Sequence, residues 1–173
     1  MTLPVNLGLR RGTVSIVNYD PAWPTAFAVE AIALRLLVGE HVQRIHHFGS
    51  TSIPGASAKP IIDMAGVVPE LLLPAKILIQ LQRIGYGREW IHILPDRICL
   101  TKGIPVTHHL YLVTQESPTL RAWISFRDAL RASRHHLRQY ESLKLVLAGQ
   151  HPHNRMAYTE AKTEFIRKIL ESE

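Results

Sequence analysis

The chain has 173 residues and carries 20 Lys and Arg against 14 Asp and Glu, a formal net charge of +6 that favours an anionic partner. Because it contains neither a long apolar run nor an apolar N-terminal core, we expect no membrane span and no signal peptide, and place the protein in the cytoplasm. The single cysteine, Cys99, excludes an internal disulfide and a cysteine-based metal site.

Hydrophobic periodicity predicts two early helices, a mixed sheet and three C-terminal helices. In chain order we predict a short strand or extended arm at 14–17 and a helix at 24–39. Two strands at 42–48 and 61–68 follow, and then a second helix at 71–84. Three further strands are predicted at 90–94, 97–101 and 106–113. Ser117 followed by Pro118 predicts the N-cap and first position of a helix. From there we predict helix to the end of the chain, with breaks near 132–136 and 149–153.

The loop between the first two predicted strands is the most informative segment of the chain. It combines glycines, hydroxyls and a lysine, namely Gly49, Ser50, Thr51, Ser52, Gly55 and Lys59. Such a loop offers backbone N–H groups and hydroxyls to an anion, with the lysine as a point charge. It is not a Walker loop, since the Gly-x-x-x-x-Gly-Lys-Ser/Thr pattern is absent. The alternative is an ordinary turn between two strands.

Asp63 lies inside an otherwise apolar run that is typical of a buried strand. An unpaired carboxylate in that position is costly and is usually matched by a cation or by strong donors. We therefore predict that Asp63 contacts a metal or a ligand. The alternative is a structural pair with an arginine or with backbone N–H groups.

These motifs resemble those of the GrpB family, whose members are predicted nucleotidyltransferases with a polymerase-beta-like fold. The resemblance covers about residues 12–171 and rests on 14–24, 47–55, 58–63, 107–113, 126–131 and 158–165. It implies an α+β fold with a nucleotidyltransferase-like mixed sheet flanked by helices. We expect a single domain over 1–173, in which 12–115 form the α/β core and 117–173 form the C-terminal helices.

The resemblance also implies roles for particular residues. In the wider superfamily a Gly-Ser pair binds phosphate, and two carboxylates in Asp-x-Asp, with a third on a later strand, hold two metal ions. Gly49 and Ser50 would then bind the triphosphate, with Thr51 and Ser52 beside them; Asp63 would be the first metal carboxylate, with Lys59 as a second catalytic residue. The position of the second carboxylate is occupied by Ala65.

Histidines on two strands are further candidates. Neighbours on a strand point to opposite faces, so at most one of each pair His46-His47 and His108-His109 faces a given site. His47 and His109 match the family pattern, and His109 would assist Asp63 in holding the metal. We expect a divalent ion, Mg²⁺ or Mn²⁺, or Zn²⁺ because of the imidazole ligand.

Cations on the inner faces of the C-terminal helices form a second set of candidates. Arg127 lies on the apolar stripe of its helix, and Lys162 stands four residues after Tyr158 and three before Phe165. Inward cations need anionic partners, so these two either pair with Asp128, Glu141 or another acid, or bind phosphate. Arg127, Arg131, Arg134 and Arg138 would stack on one face if the helix were continuous.

Two functions of different class follow. The first is metal-dependent transfer of a nucleoside monophosphate from an NTP to an unknown small acceptor. The second is a non-catalytic module that binds a nucleotide or assists the folding of a partner, a reading that Ala65 favours. RNA binding is a weaker third option, because the scattered Trp and Tyr residues form no stacking platform, so we expect no nucleic-acid partner. The oligomeric state is left open.

Overall fold

The computed structural model describes residues 7–172, apart from the side chains of residues 88–90. Its helices are α1 Trp23–Val38, α2 Ala75–Arg83, α3 Pro118–Ala132, α4 Arg134–Gln150, α5 Arg155–Glu160 and α6 Thr163–Glu171. Its strands are β1 Arg44–Phe48, β2 Ile62–Val68, β3 Tyr86–Leu94, β4 Arg97–Lys102 and β5 His108–Thr114. The predicted α+β fold with a C-terminal helical segment is confirmed.

The five strands form one mixed sheet in the order β1-β2-β5-β4-β3. Only the central pair, β2 and β5, is parallel; the other neighbours are antiparallel. In the parallel register Asp63 lies opposite His109, and Ala65 lies opposite Tyr111. The sheet therefore brings together residues that are 46 positions apart in the chain.

Helices cover both faces of the central strands, which explains why β2 is an apolar run. One face packs on α1 and α2 through a cluster that includes Trp23, Leu34, Met64, Leu81 and Leu110. The other face packs on α3 through Phe48, Ala65, Val67, Val113 and Leu120. Since alternate residues of a strand share a face, Asp63 and His109 lie on the α3 face, at the end of these strands.

The predicted elements differ from the observed ones mainly at their ends. The arm at 14–17 makes a single β-bridge, between Val17 and Ala58, and no strand. The second helix begins at Ala75, because Pro74 is extended and serves as the N-cap. The Ser117 hydroxyl accepts a hydrogen bond from the backbone N–H of Leu120, as predicted for a capped helix.

The C-terminal segment contains four helices within the described residues, and the prediction of three was wrong. The additional break falls at Ala161 and Lys162, whose N–H groups bond back to Ala157 and Thr159 and close α5. No Gly or Pro occurs between residues 155 and 171, so the sequence carries no signal for this break. A second break at Ser133, which caps α4, separates Arg127 and Arg131 from Arg134 and Arg138. The four arginines therefore do not form one stack. Within the described residues, no helix is long and apolar enough to cross a lipid bilayer.

Candidate functional site

A cavity of about 320 Å³ lies between the β1–β2 loop, the first residues of β2 and the C-terminal helices. It brings together seven of the residues predicted from the sequence: Gly49, Ser50, Thr51, Lys59, Asp63, Arg127 and Lys162. Ser52, His47 and His109 are not among its lining residues. Further lining residues, which the sequence analysis did not select, include Trp123, Tyr140, Lys144, Arg155 and Tyr158.

The β1–β2 loop begins with a conformation that only glycine adopts readily. Gly49 has φ 71° and ψ 179°, after which residues Ser50–Ser52 form one 3₁₀ turn. The Ser52 hydroxyl donates to the Gly49 carbonyl at 2.6 Å, so it closes this turn. The Thr51 side chain is buried, donates to the Ile61 carbonyl and lies 3.1 Å from Nε2 of His47. Ser52 and Thr51 thus shape the loop, while Ser50 receives a hydrogen bond from Lys144 across the cavity wall.

Asp63, His109 and Arg155 form a chain of hydrogen bonds at the cavity. Nδ1 of His109 lies 2.7 Å from Oδ1 of Asp63, and Nη2 of Arg155 lies 3.2 Å from Nε2 of His109. A guanidinium only donates, so Nε2 accepts and Nδ1 carries the proton that is donated to Asp63. Burial opposes ionisation of Asp63, but the His109 hydrogen bond and the charges of Lys59 and Arg155 hold its pKa below the usual range. Asp63 is therefore a carboxylate near neutral pH.

Three lysines crowd the cavity with lowered pKa values. Burial, with repulsion from Arg155 and Lys162, lowers the pKa of Lys59 to about 7. Burial also lowers the pKa of Lys162 and of Lys144 to about 8. In the described part of the chain, no carboxylate lies within ion-pair distance of these three ammonium groups.

Polar atoms and the rings of Tyr140 and Tyr158 partly replace the missing counter-charges. Nζ of Lys59 and Nζ of Lys162 lie 5.1 Å and 4.4 Å from the centre of the Tyr158 ring, which is a cation–π arrangement. Lys144, whose exposed fraction is 2%, donates to the Ser57 carbonyl and to the Ser50 hydroxyl. These contacts hold the ammonium groups in place without neutralising them.

Arg127 points inward, as predicted, but its charge is paired. It donates twice to Asp128 and once to the His47 carbonyl at the end of β1. Arg131, one turn further along α3, donates to the Ser52 carbonyl. The two arginines therefore fasten α3 to the loop.

His47 lies beneath the loop and away from the cavity lining. Its ring stacks on Phe27 with centroids 4.6 Å apart, and burial lowers its pKa to about 4. His47 is thus neutral at physiological pH, and its contact with Thr51 supports the loop from below.

Lys144 and Arg155 were missed by the sequence analysis. Lys144 stands four residues after Tyr140 and three before Leu147, both buried on α4. This is the same spacing test that selected Lys162, and it would have selected Lys144 as well. Arg155 begins α5 directly after a helix break, and its position three residues before Tyr158 is a weaker signal.

The donor groups around Asp63 do not fit a divalent ion that is held by protein ligands alone. Within residues 7–172, no group of three or more His, Cys, Asp or Glu side chains is placed to hold a metal. Asp63 is the one acidic side chain among the described lining residues, and both ring nitrogens of His109 are engaged. The Mg²⁺, Mn²⁺ or Zn²⁺ ion expected from the sequence stays a prediction.

Comparison with known proteins identifies relatives over most of the chain. The family model described as "GrpB protein" matches residues 13–172. UPF0157 protein YqkA of Bacillus subtilis is 35% identical over 92% of this chain, and the chain spans 47% of the length of that relative.

Solved structures include one close likeness. The crystal structure of conserved protein GrpB from Enterococcus faecalis has a TM-score of 0.77 and 34% identity, and covers 91% of this chain and 96% of that chain. A MgGTP-bound structure of the Cid1 poly(U) polymerase has a TM-score of 0.48 and 13% identity, and covers 76% of this chain and 43% of that chain. A likeness as low as the second establishes neither a shared fold nor a shared activity.

The lowered lysine pKa values predict that stability rises with pH. Between pH 7 and 8.5 the unfolded chain keeps these lysines protonated, near pKa 10.4, while the folded protein releases protons. The unfolded state then binds more protons, so the free energy of unfolding increases, by on the order of 1 to 3 kcal/mol. His47 and His108, whose pKa values fall from 6.5 to about 4 on folding, act mainly below this window, and Cys99, whose pKa rises from 9.0 to about 12, lowers stability mainly above it. Urea denaturation at several pH values measures the slope.

A matched pair of variants tests the origin of that slope. Lys59→Met with Lys162→Met removes two half-buried ammonium groups of the cavity and should flatten the pH dependence. Lys76→Met on α2 removes an exposed ammonium group and should leave it unchanged. A flat or falling stability in the unmodified protein would contradict the burial of unpaired ammonium groups.

Two glycine variants separate backbone strain from the contact with Asp63. A methyl group on Gly49 would lie 2.7 Å from Oδ2 of Asp63, whereas a methyl group on Gly55, at φ 80°, meets nothing within 4 Å. Both alanine variants carry a strain of about 1 to 3 kcal/mol. We expect Gly49→Ala to lose a further ~1 kcal/mol or more in urea denaturation, because it displaces the carboxylate. Equal decreases in the free energy of unfolding of the two variants would show that the close approach to Asp63 does not affect stability.

Proposed function

The chain belongs to the GrpB family, and we propose that its cavity binds the phosphate groups of a nucleotide. The observation that carries this proposal is the imbalance of charge. Five cationic side chains, Lys59, Arg127, Lys144, Arg155 and Lys162, are among the described lining residues, against Asp63 as the acid. Arg127 is paired with Asp128, which leaves four cations to one carboxylate. An anionic ligand with several charges relieves this repulsion.

The loop geometry supports a phosphate as that anion. The sharp turn at Gly49 lets the backbone approach a ligand closely, and Gly49, Ser50 and Thr51 of this turn line the cavity. Lysines are suited to phosphate as mobile point charges. A volume of about 320 Å³ is within the range of small-molecule pockets.

Aromatic side chains support a nucleoside attached to the phosphate. Phe48, Tyr111, Trp123 and Phe126 line the same cavity as the lysines. Phe48 and Trp123 stack with centroids 4.3 Å apart, and Tyr111 meets Trp123 edge to face at 5.1 Å. Flat apolar rings beside cations suit a base and its phosphates together. Inorganic phosphate alone would not use this part of the wall.

Transfer of the nucleoside monophosphate is the second candidate, and the lowered pKa of Lys59 at the cavity favours it. In this reaction the hydroxyl oxygen of the acceptor attacks the α-phosphorus, the bond from that phosphorus to the bridging oxygen breaks, and pyrophosphate leaves. Lys59, with a pKa of about 7, is partly a neutral amine at neutral pH and takes the proton of the acceptor. Lys144, Lys162 and Arg155 offset the charge on the leaving pyrophosphate.

Binding is tested by calorimetric titration of ATP, GTP, CTP and UTP into the purified chain. We expect at least one nucleotide to bind, and Lys59→Met with Lys162→Met to weaken it at least tenfold, about 1.4 kcal/mol. The exposed Lys76→Met variant serves as the charge-matched control and should bind normally. Undetectable binding of all four nucleotides, or equal binding by both variants, would remove the basis of this proposal.

Transfer is tested by pyrophosphate release from the bound nucleotide across a panel of hydroxyl and phosphate acceptors. We expect kcat/KM to rise with pH through about 7, as Lys59 of the free protein loses its proton, and to fall at least a hundredfold in Lys59→Met. Lys59→Arg keeps the positive charge but cannot accept a proton, so it should retain binding and lose turnover. Nucleotide binding without pyrophosphate release for any acceptor would favour the non-catalytic module.

A further inference from the structure

The strand positions that adjoin Asp63 and His109 on the same face of the sheet, Ala65 and Tyr111, carry no carboxylate. Ala65 and Tyr111 lie opposite each other in the β2–β5 register, on the same face as Asp63 and His109. Ala65 is buried with Phe48 and Val67 in the apolar cluster under α3, and Tyr111 packs against that cluster. Burial raises the pKa of Tyr111 well above its ordinary value, so it is a neutral phenol. A phenol and a methyl group leave Asp63 as a lone carboxylate.

Asp63 and His109 are also hydrogen-bonded to each other. His109 is 3% exposed and uses Nδ1 for Asp63 and Nε2 for Arg155, so coordinating a metal would require breaking one of these bonds. Oδ2 of Asp63 lies against Gly49, where even a methyl group would be too close. A single carboxylate with one engaged oxygen is a weak site for Mg²⁺, which prefers several oxygen ligands in octahedral geometry.

The charge around Asp63 opposes a divalent cation as well. The unpaired cations Lys59, Lys144, Lys162 and Arg155 share the cavity with this one carboxylate. A divalent ion would enter a positive field at low dielectric, where like charges repel most strongly. The same field attracts a di- or triphosphate and supplies the neutralisation that Mg²⁺ provides in two-metal sites.

We propose that the cavity binds its nucleotide as the metal-free di- or triphosphate anion, with lysine and arginine side chains in place of the divalent ion. This proposal rests on the nucleotide-binding function proposed above and specifies the form of the ligand. It assigns Asp63 to positioning: through His109 it orients Arg155, and its charge holds Lys59 and Lys162 at the cavity. Mg²⁺ then competes with the protein for the phosphates.

The test compares binding of ATP, and of inorganic tripolyphosphate, in EDTA and in excess MgCl₂, MnCl₂ or ZnCl₂. We expect binding in EDTA to be at least as tight as with any metal, and severalfold tighter than with Mg²⁺. Asp63→Asn removes the charge that holds Lys59 and Lys162 at the cavity, so it should weaken ATP binding by the same factor in EDTA and in MgCl₂, whereas the loss of a metal ligand would weaken binding only with metal. A circular-dichroism melt checks that this near-isosteric variant is folded. Titration of MnCl₂ alone into the protein should show no site that depends on Asp63.

The outcomes separate this inference from the function on which it rests. ATP binding that needs a metal and disappears in Asp63→Asn would overturn the metal-free site and leave nucleotide binding standing. A tight Mn²⁺ site that is lost in Asp63→Asn would overturn it in the same way. Failure of ATP and tripolyphosphate to bind under every condition would overturn nucleotide binding itself.

Discussion

The burial of several ammonium groups beside one carboxylate is the interaction on which the rest of this site depends. Such groups are unstable away from water unless an anion or strong acceptors meet them. Lys144 donates hydrogen bonds to a carbonyl and to a hydroxyl, and the ammonium groups of Lys59 and Lys162 make cation–π contacts with the ring of Tyr158. None of these contacts cancels a full charge. The folded protein therefore keeps an electrostatic cost that a bound anion removes, and ligand affinity and apo-protein stability are coupled through the same lysines.

Two parts of the fold must meet to build this site. The β1–β2 loop and the parallel pair β2–β5 supply the glycine turn, Asp63 and His109, while α4, α5 and the turn before α6 supply Lys144, Arg155 and Lys162. The loop and helices are joined by the hydrogen bonds of Lys144 to Ser50 and Ser57, and of Ser57 N–H to Glu141. A binding site at such a junction is sensitive to any change that moves the helices relative to the sheet.

Binding and transfer make different demands on these residues. Binding needs the cations charged, which favours a pH below the lysine pKa values. Proton transfer from an acceptor needs Lys59 neutral, which favours a pH above about 7. Bound phosphate raises the pKa of Lys59, so binding by itself opposes the neutral form that transfer requires. Membership of the GrpB family does not decide between binding and transfer, which is left to measurement.

The sequence by itself determined the order of most elements, the glycine and hydroxyl loop, the odd position of Asp63 and the inward faces of Arg127 and Lys162. These features depend on spacing within one element, where the periods of helix and strand set the direction of each side chain. Only the tertiary structure decided that both ring nitrogens of His109 are hydrogen-bonded, to Asp63 and to Arg155, and that Lys144 reaches the hydroxyl of Ser50. Those contacts depend on strand register and on how helices pack on a distant loop. Local periodicity does not encode relations between residues that lie tens of positions apart.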